Sequence, residues 1–154
     1  WAQPQLLEVQ RDAAGHIVLA AAQHNGYRRQ GLIHRRTVKV LSDGGWQVVD
    51  EVLGRGDVDA RLHWLLPDRP WSLDGKTLSL EMPEGQIELL LDSSVEGDIS
   101  LLKAGKMLHG AGHADPILGW FSPAYSHKLP VLSLNLNVKG AAPLTFTSSW
   151  QLPK

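Results

Sequence analysis

Turn signals recur along this chain at intervals too short for helices. They fall at Asp12-Ala13-Ala14-Gly15, Ser42-Asp43-Gly44-Gly45, Gly54-Arg55-Gly56-Asp57, Asp74-Gly75, Glu84-Gly85, Ala104-Gly105 and Lys139-Gly140. Between them lie short runs rich in Val, Ile, Leu, Thr and Trp, such as Ile17–Ala22, Leu32–Leu41, Trp46–Leu53, Val58–Leu66 and Val131–Val138. Strands spaced by about 8–12 residues with turns between them are the pattern of an antiparallel sandwich or barrel. No stretch of period 3.6 competes. The predicted fold class is therefore all-β: an antiparallel β-sandwich of roughly ten to twelve short strands, supersandwich-like.

Length sets the scale of the core. The chain has 154 residues, 43% hydrophobic and 20% charged, which fits a single domain over residues 1–154 with a real core. Six Trp are dispersed, as core and rim residues are, and there is no internal repeat. The absence of Cys excludes a disulfide framework, a thiol nucleophile and a Cys-based zinc site. A formal net charge of -1 does not mark a nucleic-acid binder. No apolar run approaches the roughly 20 residues that span a bilayer as a helix, so no membrane partner is expected. The sequence opens at Trp1 without Met, and we expect a piece of something longer.

Charge is unevenly distributed. No Asp or Glu occurs from Ala13 to Ser42, yet that stretch holds Arg28, Arg29, Arg35, Arg36, Lys39, His16, His24 and His34. Acids return at Asp43, Asp50, Glu51, Asp57 and Asp59. Two readings stay open. The bases can face an anion, since the planar fork of Arg binds sulfate, phosphate or carboxylate bidentately. They can equally pair with the acids of adjoining strands. A two-residue turn at Asp43-Gly44 would set Val38 against Val49, Thr37 against Asp50 and Arg36 against Glu51. A turn at Arg55-Gly56 would set Asp50 against Arg61 and Val48 against His63. The candidate structural residues are thus Arg36, Glu51, Asp50 and Arg61, with Asp50 paired to Arg61 or to an Arg of the His34–Arg36 strand. Strand alternation puts His34 and Arg36 on a face with Val38 and Val40, and Arg35 with Thr37 and Lys39. We expect Arg28, Arg35 and Lys39 to reach solvent, and His34 and Arg36 to be mostly buried.

Other motifs carry less. His109, His113 and Asp115 have metal-ligand chemistry, but they lie in a Gly/Ala-rich stretch with no rigid scaffold, and no metal or other cofactor is expected. Arg55-Gly56-Asp57 is an adhesion tripeptide in letters and an ordinary hairpin turn in context. There is no phosphate loop and no nucleophile elbow. Tyr27 has the chemistry of a proton-transfer group, although Tyr beside Gly at a strand end is commonly structural.

The string Gln23-His24-Asn25-Gly26-Tyr27-Arg28, then Ile33-His34-Arg35-Arg36, then Trp46-Gln47-Val48-Val49-Asp50, resembles the late β-rich region of heparinase II/III-like polysaccharide lyases. The His-containing strand Leu62–Pro67, the segment Gly119–Tyr125 with Lys128 and Pro130, and the closing Ala142–Phe146 follow in the same order. The resemblance spans His16 to Pro153. It implies an α/α toroid preceding antiparallel β-domains, and cleavage of acidic polysaccharide by β-elimination in the full-length protein. It also implies a periplasmic or extracellular bacterial setting.

The family's catalytic residues lie mainly in the toroid, and its metal ligands in an early His-x-His-x-Asp segment, so neither is expected in this chain. The resemblance therefore implies a non-catalytic C-terminal β-sandwich whose partners are the toroid and, weakly, acidic polysaccharide. Candidate substrate-binding residues are His24, Tyr27, Arg28, His34, Arg35 and Lys39. A free-standing carbohydrate-binding module, or a structural module that meets a partner protein, remains the alternative.

Overall fold

The computed structural model describes residues 2–153. Fourteen strands occur among the described residues, and every recorded pairing is antiparallel. They are β1 Pro4–Arg11, β2 Ile17–His24, β3 Ile33–Val40, β4 Trp46–Leu53, β5 Asp57–Leu66, β6 Trp71–Asp74 and β7 Thr77–Met82. Then come β8 Gly85–Ser93, β9 Gly97–Lys103, β10 Lys106–His109, β11 Trp120–Phe121, β12 Leu129–Pro130, β13 Leu132–Ala141 and β14 Leu144–Gln151. The count exceeds the expected ten to twelve because β11 and β12 are two-residue pairs and β6 and β10 only four residues long. Among the described residues one 3-10 turn, Arg28–Gln30, interrupts the strands.

The chain forms two compact units. The first comprises residues 1–58, 71–95 and 140–154, and the second residues 59–70 and 96–139. The first unit holds an eight-stranded sheet in the order β1-β2-β3-β4-β14-β8-β7-β6. One face of it carries Val48 and Asp50 of β4, Phe146 and Ser148 of β14, Leu89 and Leu91 of β8, and Leu78 and Leu80 of β7, all buried. Period-2 alternation delivers these side chains to one side, and each fully buried Leu contributes about 1.5–3 kcal/mol.

The second unit is built on a four-stranded sheet in the order β10-β9-β13-β5. The run Leu132-Ser133-Leu134-Asn135-Leu136-Asn137-Val138 alternates strictly. Its Leu and Val side chains are buried on one face with Leu101, the register partner of Leu134. Ser133, Asn135 and Asn137 go to the other.

Two details of the expected hairpins are corrected. The Leu41 N–H donates to the Gly45 carbonyl at 2.8 Å, so the β3–β4 loop has three residues and not two. Gly44 supplies the left-handed φ of +87° that such a loop needs. The extra residue moves the register by one: Val38 faces Val48, Thr37 faces Val49, Arg36 faces Asp50 and Arg35 faces Glu51. The second hairpin does not form, because β4 pairs with β3 and β14 while β5 joins the other sheet. Asp50 therefore faces Phe146 on that side and not Arg61.

Candidate functional site

β2, β3 and β4 lie side by side, so their polar residues meet at one end of the apolar face. His24 and His34 are cross-strand partners, as are Arg36 and Asp50. Asp50 is only 3% exposed, and a carboxylate so placed must be paired. Arg36 supplies a two-pronged partner: Nε donates to Oδ1 at 2.7 Å and Nη2 to Oδ2 at 2.9 Å. His34 adds a third hydrogen bond, Nε2 to Oδ1 at 2.6 Å. Burial alone pushes the Asp50 carboxyl up. The hydrogen bonds from His34 and Arg36, with the Arg36 charge, more than offset it and hold the group below the usual carboxylate range.

The chain of contacts continues outward. His34 Nδ1 lies 3.0 Å from His24 Nε2, with the rings edge-on at 5.0 Å between centroids. The Gly26 N–H donates to His24 Nδ1 at 3.1 Å. That backbone donor fixes the tautomers. His24 Nδ1 must accept, so His24 Nε2–H donates to His34 Nδ1, and His34 Nε2–H donates to Asp50. Each nitrogen of both imidazoles is thus engaged within the protein.

This wire ends in the loop from Asn25 to Leu32. The Tyr27 carbonyl accepts from the Gln30 and Leu32 N–H groups at 2.9 and 3.2 Å, and Gly31 closes the 3-10 turn with φ +72°. Tyr27 is half exposed, and its ring centroid lies 5.8 Å from that of His24. Arg28 and Arg29 sit in the 3-10 turn and are exposed. Lys39 is exposed farther along β3. Arg35 is half-buried, with Nη1 3.6 Å from Glu51 Oε2. Arg36 departs from expectation twice: its side chain is 44% exposed, and Asp50 holds it in place of Glu51. The one-residue register shift accounts for the exchange of partners.

Of the two partners expected for Asp50, the Arg of the His34–Arg36 strand is Arg36, and Arg61 of β5 lies elsewhere. Arg61 reaches Asp115 at 3.9 Å within the second unit. Among the described residues no three His, Asp or Glu side chains are arranged to hold a metal ion. Asn135 and Ser133 belong to no motif, and only their strict alternation with Leu in the sequence signals a polar sheet face.

A sequence profile described as Heparinase II/III-like, C-terminal, matches residues 1–150. The chain belongs to this family. No curated protein sequence matches it. Among solved structures, a heparinase III gene product superposes with a TM-score of 0.71 at 16% identity, covering 99% of this chain and 22% of its own. A second heparinase III structure gives 0.68 at 13% identity, over 95% of this chain and 21% of its own. The heparan sulfate lyase HepC from Pedobacter heparinus gives 0.67 at 12% identity, over 99% and 22%. These likenesses assign the fold, the antiparallel β-sandwich of the heparinase C-terminal region. The chain spans about a fifth of the length of the heparinase structures it matches.

Proposed function

We propose that this chain is the non-catalytic C-terminal β-domain of a lyase that cleaves acidic polysaccharide by β-elimination, and that it lends the polymer a cationic ledge. The observation that carries the reading is the closed hydrogen-bond wire from Gly26 through His24 and His34 to Asp50. β-Elimination needs a base for the proton beside the uronate carboxylate and a donor for the leaving oxygen. His24 and His34 have no free nitrogen to serve as either. The wire instead holds the loop on which Tyr27, Arg28 and Arg29 reach solvent, and Lys39 is exposed farther along β3. Family membership and the short share of each relative's length support the same reading, in which catalysis belongs to a helical toroid of the full-length protein.

Heparan sulfate is the test polymer. The isolated chain should bind it weakly and release it as salt rises, because exposed charges are screened over about 8 Å at physiological ionic strength. The triple variant Arg28→Ala, Arg29→Ala, Lys39→Ala should lose that binding. No ultraviolet absorbance from unsaturated uronate should develop. Salt-insensitive binding, unchanged affinity in the triple variant, or steady product formation abolished by His34→Ala would each overturn the proposal.

A further inference from the structure

The wire from Gly26 to Asp50 has room for one hydrogen at each junction. Its outer junction is the Gly26 N–H on His24 Nδ1 at 3.1 Å, its middle one His24 Nε2 with His34 Nδ1 at 3.0 Å, and its inner one His34 Nε2 on Asp50 at 2.6 Å. A neutral imidazole offers one N–H and one lone pair, whereas an imidazolium offers two N–H groups and no acceptor. Two neutral rings fill the junctions completely. One further proton leaves two N–H groups facing each other somewhere along the wire.

The groups around the pair decide where. From β4 comes the Asp50 carboxylate that His34 touches, and from β3 the Arg36 guanidinium on the same carboxylate. The loop brings Tyr27, its ring centroid 5.8 Å from that of His24, and Arg28 follows it in the chain. β1 sets Pro4 opposite His24 and adds no charge there. Arg35 and Glu51 alternate to the other face of the sheet. Burial raises the Asp50 carboxyl, but the hydrogen bonds from His34 and Arg36 outweigh it, so the carboxylate stays ionised while an imidazole takes up the proton. The positive charge is best placed on His34, against that carboxylate. The proton enters at His24 Nδ1, the outermost lone pair, and the His24 Nε2 hydrogen passes to His34 Nδ1. His34 is then an imidazolium on Asp50. His24 is neutral again, but its hydrogen now sits on Nδ1 and faces the Gly26 N–H.

We propose that the His24–His34 pair is an acid-released latch: one proton taken up by the pair breaks the Gly26 bond and frees the loop from Gly26 to Gly31, with Tyr27, Arg28 and Arg29 on it. The other ties of this loop contain no titratable group. Asn25 exchanges hydrogen bonds with Gln3 at one end, and Leu32 is buried at the other. The release is therefore confined between them. It needs no ligand, so it can fail without the polysaccharide reading and survive without it.

The test is proton–nitrogen NMR of the full chain from about pH 8 to about pH 5, the range in which histidine changes charge, with no ligand present. At the upper end both imidazoles should carry their hydrogen on Nε2. As His34 becomes an imidazolium, the Gly26 amide proton should move upfield in step. Its protection against water exchange, normalised to free amides at each pH, should fall about fivefold, the worth of one hydrogen bond. The amides of Val38 and Val48 should stay in place. His24→Asn is the deciding variant, because its side-chain oxygen stands where Nδ1 does, accepts from Gly26 and cannot be protonated. Gly26 should then ignore pH while His34 still titrates. An Nδ1–H tautomer on either ring at the upper end, a Gly26 amide indifferent to the His34 titration, or the same Gly26 response in His24→Asn would each overturn the proposal. So would shifts spread evenly over the strands, which signal general acid unfolding.

Discussion

His34 Nε2 stands 2.6 Å from Asp50 Oδ1, and the same oxygen accepts from Arg36 Nε at 2.7 Å. One buried carboxylate thus anchors two residues of the neighbouring strand and, through His24, the loop beyond it. A carboxylate shared this way is costly to remove, because its partners lose their common acceptor.

Asp50→Ala should destabilise the chain by about 3 kcal/mol, the lower end of the range for breaking a buried ion pair. The lower end applies because Arg36 is 44% exposed and regains water. His34→Ala should cost less, about 1–2 kcal/mol, because Asp50 keeps both Arg36 bonds. Urea midpoints at constant slope measure both, and equal losses would contradict the hierarchy.

The depressed Asp50 carboxyl has a consequence at low pH. Its folded value lies below the ordinary 3.8, so the unfolded chain takes up its proton first. The stabilisation is fully present above about 3.8 and is lost as pH falls from there through the folded value. The acid limb of the stability profile should therefore be shallower in Asp50→Asn than in the parent, measured by urea unfolding at successive pH values. Parallel limbs would show that Asp50 titrates alike in both states.

His63 should titrate below 6.5, burial being the larger cause and Arg61 the second. Its midpoint, followed by the imidazole proton resonances, should move upward in Arg61→Gln without reaching 6.5. The sign for folding is that the neutral form is favoured in the native state. The His63 contribution is thus present above 6.5 and lost as pH falls through the folded value.

Gly54 ends β4 with φ +150°, and a Cβ there would lie 2.6 Å from the Gly31 carbonyl oxygen and 2.7 Å from Leu32 Cδ2. Gly54→Ala should cost about 1–3 kcal/mol from backbone strain alone, with more from the clash. It should also displace the amide resonances of Tyr27 to Leu32, since Gly31 and Leu32 close that loop. Gly56→Ala is the control: φ is +92° but nothing stands within 4 Å, so strain acts there without the loop displacement.

What the sequence determined by itself was local. Strand periodicity and turn residues specify an all-β antiparallel chain, because alternation and left-handed glycines act over a few residues. The acid-free stretch marked the exposed bases Arg28, Arg29 and Lys39, since charge composition needs no fold to be read. The order of the His24, His34 and Asp50 motifs carried the family resemblance.

Only tertiary structure decided who faces whom. One residue more in the Leu41–Gly45 loop moved Asp50 from Thr37 to Arg36 and gave Arg35 to Glu51. The pairing of β4 with β14 spans nearly a hundred positions of sequence. No turn signal encodes it; burial of Val48 beside Ser148 and Asp50 beside Phe146 does. Arg61, on paper a partner of Asp50, lies in the other sheet for that reason. The orphaned Asn135 oxygen is likewise invisible in a linear pattern, because an unmet hydrogen bond exists only once every neighbour is in place.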